Sequence, residues 1–536
     1  MTSVSQRVAV IGAGASGLTA IKCCLDEGLT PVCFERTTHI GGLWHYHDEP
    51  VKGQTCVMKS TVINSCKELM SYSDFLIPKD FPNYMHNSQV LEYFRLYADR
   101  FGLNKYINFQ TEVQSVKKAD DYATTGRWKV CYRDVTTGET ETEIFDAVMV
   151  CSGRQTDVYR PQFEGLNDFQ GKVLHMHEYR KPDGFQNARA LVIGIGNSGG
   201  DCATEISRVA KQTFLSTRRG SWVIYRVSEK GYPQDLVINS RCYRFFQNNL
   251  GRVWEKWMEY KLNYRFDHTM YRLKPKHSFY SYQPLVNDDL PNRIISGRVK
   301  VKDNVRRFTK TGVEFVDGSK EEIDLVILAT GYTTSYPFLE KEVLQIEEKD
   351  ARLYKLIFPP DLEKSTLAMI GCLQPLGPLP PMAEMQCRMA TRVFKGLLKL
   401  PDAPTMWKDI EERDAAIARQ YLPSVRYSIL VDYLPYMDEL SKVVGCYPSY
   451  ATMFKDNPAF ALKMWFTPIY PCAYRLYGPG KWDGAKQAVL TAMDRVKAPF
   501  QTRPLAGAYE EKSGDLSRYL VGLFIFFIAC LTVFMF

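Results

Sequence analysis

Two segments of this chain repeat one local plan. VAVIGAGASGLTAIKCC, at residues 8–24, and ALVIGIGNSGGDCATEIS, at 190–207, each run from a short apolar strand through Gly-x-Gly-x-x-Gly into an amphipathic helix. In the first copy the pattern predicts a strand over Arg7–Ile11, a loop carrying Gly12, Gly14 and Gly17, a helix over Ala15–Glu27 and a second strand over Pro31–Glu35. The glycines permit a tight turn, close approach of backbone to a pyrophosphate, and close packing of helix on strand, while the helix N-terminus favours negative charge. Two such units restrict the chain to the α/β class, with two Rossmann-like dinucleotide-binding domains.

The copies differ where the ribose is read. Eighteen residues after Gly17 stands Glu35, whose carboxylate suits ribose hydroxyls. The same count from Gly199 reaches Thr217, followed by Arg218 and Arg219. A carboxylate there would repel a 2′-phosphate, whereas guanidinium groups bind one bidentately. The second loop, with Gly194, Gly196 and Gly199, is therefore expected to take NADP(H) rather than NAD. Two dinucleotides on one chain imply electron transfer between them, from NADPH to a flavin.

A second internal repeat supports two nucleotide folds. FDAVMVCSG (145–153) and IDLVILATG (323–331) each place an acid before a buried strand that ends in Ser/Thr-Gly. The expected organisation is a discontinuous FAD domain, residues 1–155 and 333–445, with an NADPH domain at 156–332 inserted in it. An aromatic and basic stretch at about 230–290 reads either as an amphipathic core helix or as a cover facing substrate or membrane. Residues 446–515 look helical. From Tyr519 to Phe536 runs YLVGLFIFFIACLTVFMF, 18 residues without a charge, long enough as a helix to span roughly 27 Å and to serve as a C-terminal transmembrane anchor.

Other chemistries lack their residues. The net charge of +8 is spread along the chain, with no block of like charges for nucleic acid. Scattered cysteines without a CxxC pair, and no Asn-x-Ser/Thr sequon, fit a body in a reducing compartment. A disulfide reductase would need a redox pair beside the flavin, but Cys56 and Cys66 are nine residues apart between them. The His45/His47 and His175/His177 pairs lack a third ligand at a metal-like spacing, so no metal is expected. A membrane-tethered NADPH/FAD sensor without turnover remains the non-enzymatic alternative.

GAGASG, GIGNSGG, LATGY and FQGKVLHMHEY together resemble the flavin-containing monooxygenases of animals; the last fits that family's FxGxxxHxxx[YF] signature through Phe169, Gly171, His175 and Tyr179. The likeness extends over nearly the whole chain, including ERTTHIGGLW, NSCKE, NDDLPNRI and the apolar C-terminus. It implies bound FAD, NADPH as reductant and O2 as co-substrate. A C4a-hydroperoxyflavin would oxygenate nitrogen or sulfur of small lipophilic, xenobiotic-type molecules. The protein would sit on the endoplasmic reticulum membrane with its catalytic body facing the cytosol; the oligomeric state is left open, a homodimer included. By the resemblance, FAD is held by Gly12, Ala13, Gly14, Ala15, Ser16, Gly17, Glu35, Gly42, Leu43, Trp44, Asn64 and Ser65, with Thr330 and Gly331. NADP(H) meets Ile63, Asn64, Gly194, Gly196, Asn197, Ser198, Gly199, Gly200, Asp201, Thr217, Arg218 and Arg219. Asn64 is the expected catalytic residue, hydrogen-bonding at the flavin edge without supplying charge. His175 is expected to orient the two nucleotide folds. The stretch RFDHTMYRLKPKH resembles the vertebrate branch that oxygenates ketones in the Baeyer–Villiger sense. Ketone oxygenation and release of H2O2 are therefore the alternatives to heteroatom oxygenation.

Overall fold

The computed structural model describes residues 5–503, apart from positions 52, 156, 345, 348–349 and 423–427. The apolar segment 519–536 lies outside the described residues; among those described, no helix is long and apolar enough to cross a membrane.

Two five-stranded parallel sheets organise the molecule. In the first, Arg7–Ile11 is flanked by Thr30–Phe34 and Ala147–Val150, and Leu367–Met369 and Ile107–Asn108 form the edges. Strands with both faces covered read as continuous apolar runs, and Val8, Ala9 and Val10 are all inaccessible to solvent. The edge strand Leu367–Met369 arrives more than 200 residues after its neighbour, so the second fold is an excursion from the first.

The second sheet repeats the scheme. Arg189–Ile193 lies between Gln212–Ser216 and Leu325–Leu328, with Val299–Lys302 and Lys172–His175 at the edges. In both units a three-stranded antiparallel sheet precedes the strand that returns to the parallel sheet, residues 111–145 in the first and 305–322 in the second. The sequence repeat FDAVMVCSG/IDLVILATG is thus one element used twice.

The C-terminal half closes over the first fold. Helix Leu379–Phe394 covers the glycine-loop helix Ala15–Asp26, and Cys387 Sγ reaches the Ser16 carbonyl. Arg475 binds this layer from the far end of the chain: Nη2 meets Glu384 Oε1 at 2.7 Å and Nε donates to Ser73 Oγ at 2.6 Å. Glu384 also accepts the Ser73 backbone N–H, so each buried charge is satisfied by several partners.

Residues 241–265, together helix 241–265, are two helical segments joined by a kink at Gly251, whose backbone is not helical (φ 44°, ψ −114°) and whose positive φ suits glycine. One face turns Trp254, Met258 and Leu262 inward, while Val253, Tyr260 and Tyr264 point out and are 66–83 % exposed.

Candidate functional site

A cavity of about 1810 Å³ runs from the first glycine loop, past the N-terminus of the second nucleotide helix, to the inner face of helix 241–265. That exceeds the roughly 300–1,000 Å³ of an ordinary small-molecule pocket and suits extended cofactors plus a substrate.

The first loop is built for close approach. Gly12 has φ +99°, and a Cβ there would lie 2.9 Å from the Cys151 carbonyl. A Cβ on Gly17 would meet the Gly12 carbonyl at 1.8 Å. Gly17 therefore seats the helix on the loop, while Gly14, Ala15 and Ser16 line the cavity. The helix cap at Gly14 has no side-chain hydrogen bond, leaving its first-turn N–H groups for an anion. Glu35 Oε2 accepts the Ala13 N–H at 2.8 Å and Oε1 accepts from Thr37 N and Oγ1, which fixes the carboxylate at the cavity wall. Gly42, Leu43 and Trp44 cross from the other side, with Gly42 Cα 3.7 Å from where a Gly14 Cβ would stand. This cradle, with an acid at the ribose position and uncapped amides at the pyrophosphate position, fits FAD.

The second loop repeats the geometry. Gly194 has φ +112°, and a Cβ on Gly199 would lie 2.0 Å from the Gly194 carbonyl. Gly196 and Ser198 are exposed at the start of helix Asn197–Ile206, whose cap also lacks a side-chain bond. Gly200 packs against Leu285, where a Cβ would stand 2.6 Å from its side chain. Asn197 reaches the cavity and accepts the Val286 N–H at 2.9 Å. Asp201 accepts from Asn287 Nδ2 at 2.7 Å, and burial lifts its carboxyl up to about 6. Thr217 Oγ1 accepts the Gly220 N–H in the turn that follows the strand, and Arg218 and Arg219 are exposed beside it. Both arginines lack an acidic partner among the described residues, and the site fits a 2′-phosphate.

Asn64 lines the same cavity as the first loop and Asn197. Its Oδ1 accepts from Arg226 Nη2 at 2.6 Å, and Arg226 also donates from Nε to the Ile63 carbonyl at 3.2 Å. Asp288 holds that guanidinium, with Nη1 at 3.1 Å. Asn64, Ser65 and Arg226 line the cavity. Arg226, Asp288 and Asp235 are site residues that sequence reasoning missed; NDDLPNRI was legible as a shared stretch, but nothing local marks Arg226 or Asp235.

Three assignments change. Thr330 and Gly331, expected at FAD, follow the strand Leu325–Leu328 of the second sheet. Thr330 Oγ1 donates to the Tyr159 carbonyl, and the Gly331 carbonyl accepts from His175 Nε2 at 3.1 Å. The matching segment of the first sheet, Cys151–Gly153, lines the cavity instead. The Ile63 side chain is 5 % exposed within the apolar core, so only its carbonyl serves the site. Ala13 and Gly17 are buried beneath the loop, where Gly17 acts by packing and Ala13 by donating its N–H to Glu35.

His175 is fully buried. Its Nδ1 accepts the His177 N–H at 3.0 Å, so the neutral ring carries its proton on Nε2 toward Gly331. Burial, with Arg160 adding, pushes its pKa down to about 4. Tyr179 Oη donates to Glu205 at 2.9 Å and tethers the same stretch to the second nucleotide helix. Through His175 and Tyr179 the FxGxxxHxxxY segment is fastened to the second nucleotide fold, to Gly331 and to Glu205.

The family model described as FMO-like, flavin-binding monooxygenase-like, matches residues 5–536. The chain belongs to this family. It is 51 % identical over 502 residues to flavin-containing monooxygenase 5 of Rattus norvegicus, covering 93 % of this chain and 94 % of the relative. Against flavin-containing monooxygenase 5 of Homo sapiens it is 49 % identical, with 98 % of each chain covered. Against dimethylaniline monooxygenase [N-oxide-forming] 2 of Mus musculus it is 46 % identical, with 94 % of each covered. Among solved structures, S-allyl-L-cysteine S-oxygenase from Allium sativum superposes with a TM-score of 0.64 at 23 % identity, over 92 % of this chain and 99 % of that one. Cyclohexanone monooxygenase superposes with a TM-score of 0.59 at 19 % identity, over 82 % and 98 %. Membership makes this protein an oxidoreductase, a flavin monooxygenase using FAD, NADPH and O2.

Proposed function

We propose that this monooxygenase oxygenates a nitrogen or sulfur atom of small lipophilic molecules, held on the membrane by residues 519–536 with its catalytic body toward the cytosolic face of the endoplasmic reticulum. The observation that carries the substrate reading is the lining of the cavity: the first glycine loop, Asn197 at the start of the second nucleotide helix and the Arg226–Asn64 pair share it with the aromatic side chains of Trp254, Phe279 and Tyr280.

The overall balance is substrate plus O2, NADPH and H⁺ giving oxygenated substrate, water and NADP⁺. Bound FAD supplies the two-electron reduction of O2 and the transfer of one oxygen atom. The protein's residues bind, orient and exclude. Uncapped helix N-termini at Ala15 and Asn197 take the pyrophosphates. Arg218 and Arg219 take the 2′-phosphate. Arg226 aims the Asn64 amide at the cavity, so a fixed dipole rather than a titrating group borders the reacting atoms. The aromatic wall strips water from an apolar substrate. No side-chain nucleophile is needed, because a soft heteroatom is itself the nucleophile.

The outward aromatic face of helix 241–265, with Lys256 and Arg265 on the same element, supports a second contact with the bilayer surface. Purified protein should be yellow and oxidise NADPH in air. A thioether and a ketone offered in parallel, with products and H2O2 quantified, test the reading: sulfoxide as the main product supports it, ester as the main product assigns the ketone reaction instead, and H2O2 alone refutes oxygenation. Deleting 519–536 should release the protein from membranes, and persistent attachment would assign the anchor to helix 241–265.

A further inference from the structure

Asp235, on the cavity wall, has no cationic partner among the described residues and shares a phenol with the Arg226 carbonyl. Asp235 sits in the short helix Gln234–Ile238 and contributes to the cavity lining. Its Oδ2 accepts the Cys66 backbone N–H at 2.6 Å, and its Oδ1 lies 3.2 Å from Tyr84 Oη. The same Tyr84 hydroxyl lies 2.8 Å from the Arg226 carbonyl oxygen.

Proton counting makes this arrangement two-valued. A phenol has one proton to donate, and a carbonyl oxygen only accepts. Both contacts of Tyr84 are hydrogen bonds only when Asp235 is protonated on Oδ1: the acid donates to the phenol oxygen, and the phenol donates to the Arg226 carbonyl. Once Asp235 ionises, its carboxylate competes for the phenol proton and, as the charged acceptor, wins. The Arg226 carbonyl then loses its donor.

Both ends of this chain lead to Asn64. Cys66 lies two residues beyond it, and Arg226 donates to its Oδ1 at 2.6 Å. We propose that Asp235 is a positioning residue for oxygenation: by holding or releasing one proton along Asp235–Tyr84–Arg226, it sets the placement of the Arg226–Asn64 pair at the flavin. This rests on the monooxygenase reading of the cavity.

The surroundings favour such a switch. Burial lifts the Asp235 carboxyl up to about 6, opposed by the Cys66 and Tyr84 hydrogen bonds. From segment 66–68 it faces the Cys66 thiol, and Glu68 of that segment is paired with Arg495 at 3.1 Å. Tyr84 and Tyr470 face it from their own segments, and both phenols are pushed up by burial. Arg226 commits its guanidinium to Asp288 and Asn64, leaving Asp235 without a counter-charge.

The test uses the FAD-loaded enzyme and the variants Asp235→Asn and Tyr84→Phe. Asp235→Asn keeps an acceptor for Cys66 and an N–H facing Tyr84, a permanent copy of the protonated acid. Two readouts are followed against pH: the visible absorbance of the resting flavin, and the ratio of oxygenated product to H2O2 per NADPH. The wild type should show one inflection near 6 in both, with the ratio changing several-fold across it. Asp235→Asn should be flat in both, fixed at the acid-side value and still binding FAD, and Tyr84→Phe should also be flat. An inflection that persists in either variant, or a wild-type flavin spectrum without one, overturns the proposal. If Asp235→Asn does not fold, Tyr84→Phe alone decides. Failure of the monooxygenase reading would show separately, as a yellow protein that consumes no NADPH in air whatever its resting spectrum does.

Discussion

Gly196→Ala separates what the second glycine loop does for the fold from what it does for the cofactor. A Cβ at Gly199 would strike the Gly194 carbonyl at 2.0 Å, but a Cβ at Gly196 meets no protein atom within 4 Å. Gly196 has φ −73° and ψ 178°, extended backbone that alanine adopts freely. The added methyl therefore costs the fold little, with the loss of glycine at a helix cap and the gain in chain stiffness each within about 1 kcal/mol. The NADP⁺ pyrophosphate would approach this same open space. Displacing it from the uncapped N–H groups of helix Asn197–Ile206 forfeits charge-assisted hydrogen bonds of about 1.5–3 kcal/mol, or roughly 10–100-fold in affinity. The expected protein is yellow, melts within a few degrees of wild type, and has a KM for NADPH raised by on the order of tenfold or more. Absorbance, thermal denaturation and initial rates read these three properties independently. An unchanged KM in a folded, FAD-loaded variant would mean that the pyrophosphate does not pass over Gly196, and the cofactor placement argued from this loop would fail.

Replacing Arg218 and Arg219 together with alanine should raise KM for NADPH at least tenfold while leaving NADH nearly unaffected, as expected for lost bidentate phosphate contacts; an equal effect on both nucleotides would place the 2′-phosphate elsewhere. Asn64→Ala removes the acceptor of Arg226 Nη2 and should leave FAD bound while H2O2 per NADPH rises several-fold, read by peroxide assay. Arg475→Met strands Glu384 in the core and should destabilise the protein by about 3–5 kcal/mol, read by urea unfolding. His268 is fully buried, accepts the Val223 N–H on Nε2 at 3.1 Å, and must stay neutral; burial, with Lys274 adding, pushes its pKa from 6.5 down to about 4. The unfolded chain then binds the extra proton, so this contribution of about 3 kcal/mol is fully present above 6.5 and is lost as pH falls toward 4. Urea midpoints should drop across that window, and His268→Gln should flatten the slope.

The two nucleotide units were legible because their signals are local. Strand, glycine spacing and helix follow one another within 20 residues, and each expected boundary lies within one or two residues of the observed one. Glu35 and the Arg218–Arg219 turn were locatable for the same reason, since each starts within two residues after the second strand of its own unit. The His175 stretch is packed into the second unit, where its neutral ring is buried. Thr330 and Gly331 were misplaced because the two Ser/Thr-Gly strands look alike in one dimension; only pairing of Leu325–Leu328 with Arg189–Ile193 shows which sheet owns the second.

By itself the sequence pointed to the α/β class, to two dinucleotide sites on one chain, and to FAD and NADPH as the cofactors. Those properties rest on residue type at short, fixed spacing. Only the tertiary structure decided which groups meet Asn64 at the cavity. Arg226 lies 162 residues from Asn64, and Asp235 lies 169 from Cys66. Such pairs leave no periodicity in the sequence, because their contact is made by packing the inserted fold against the first, and the charge and proton logic of the site exists only once that packing has removed water from between them.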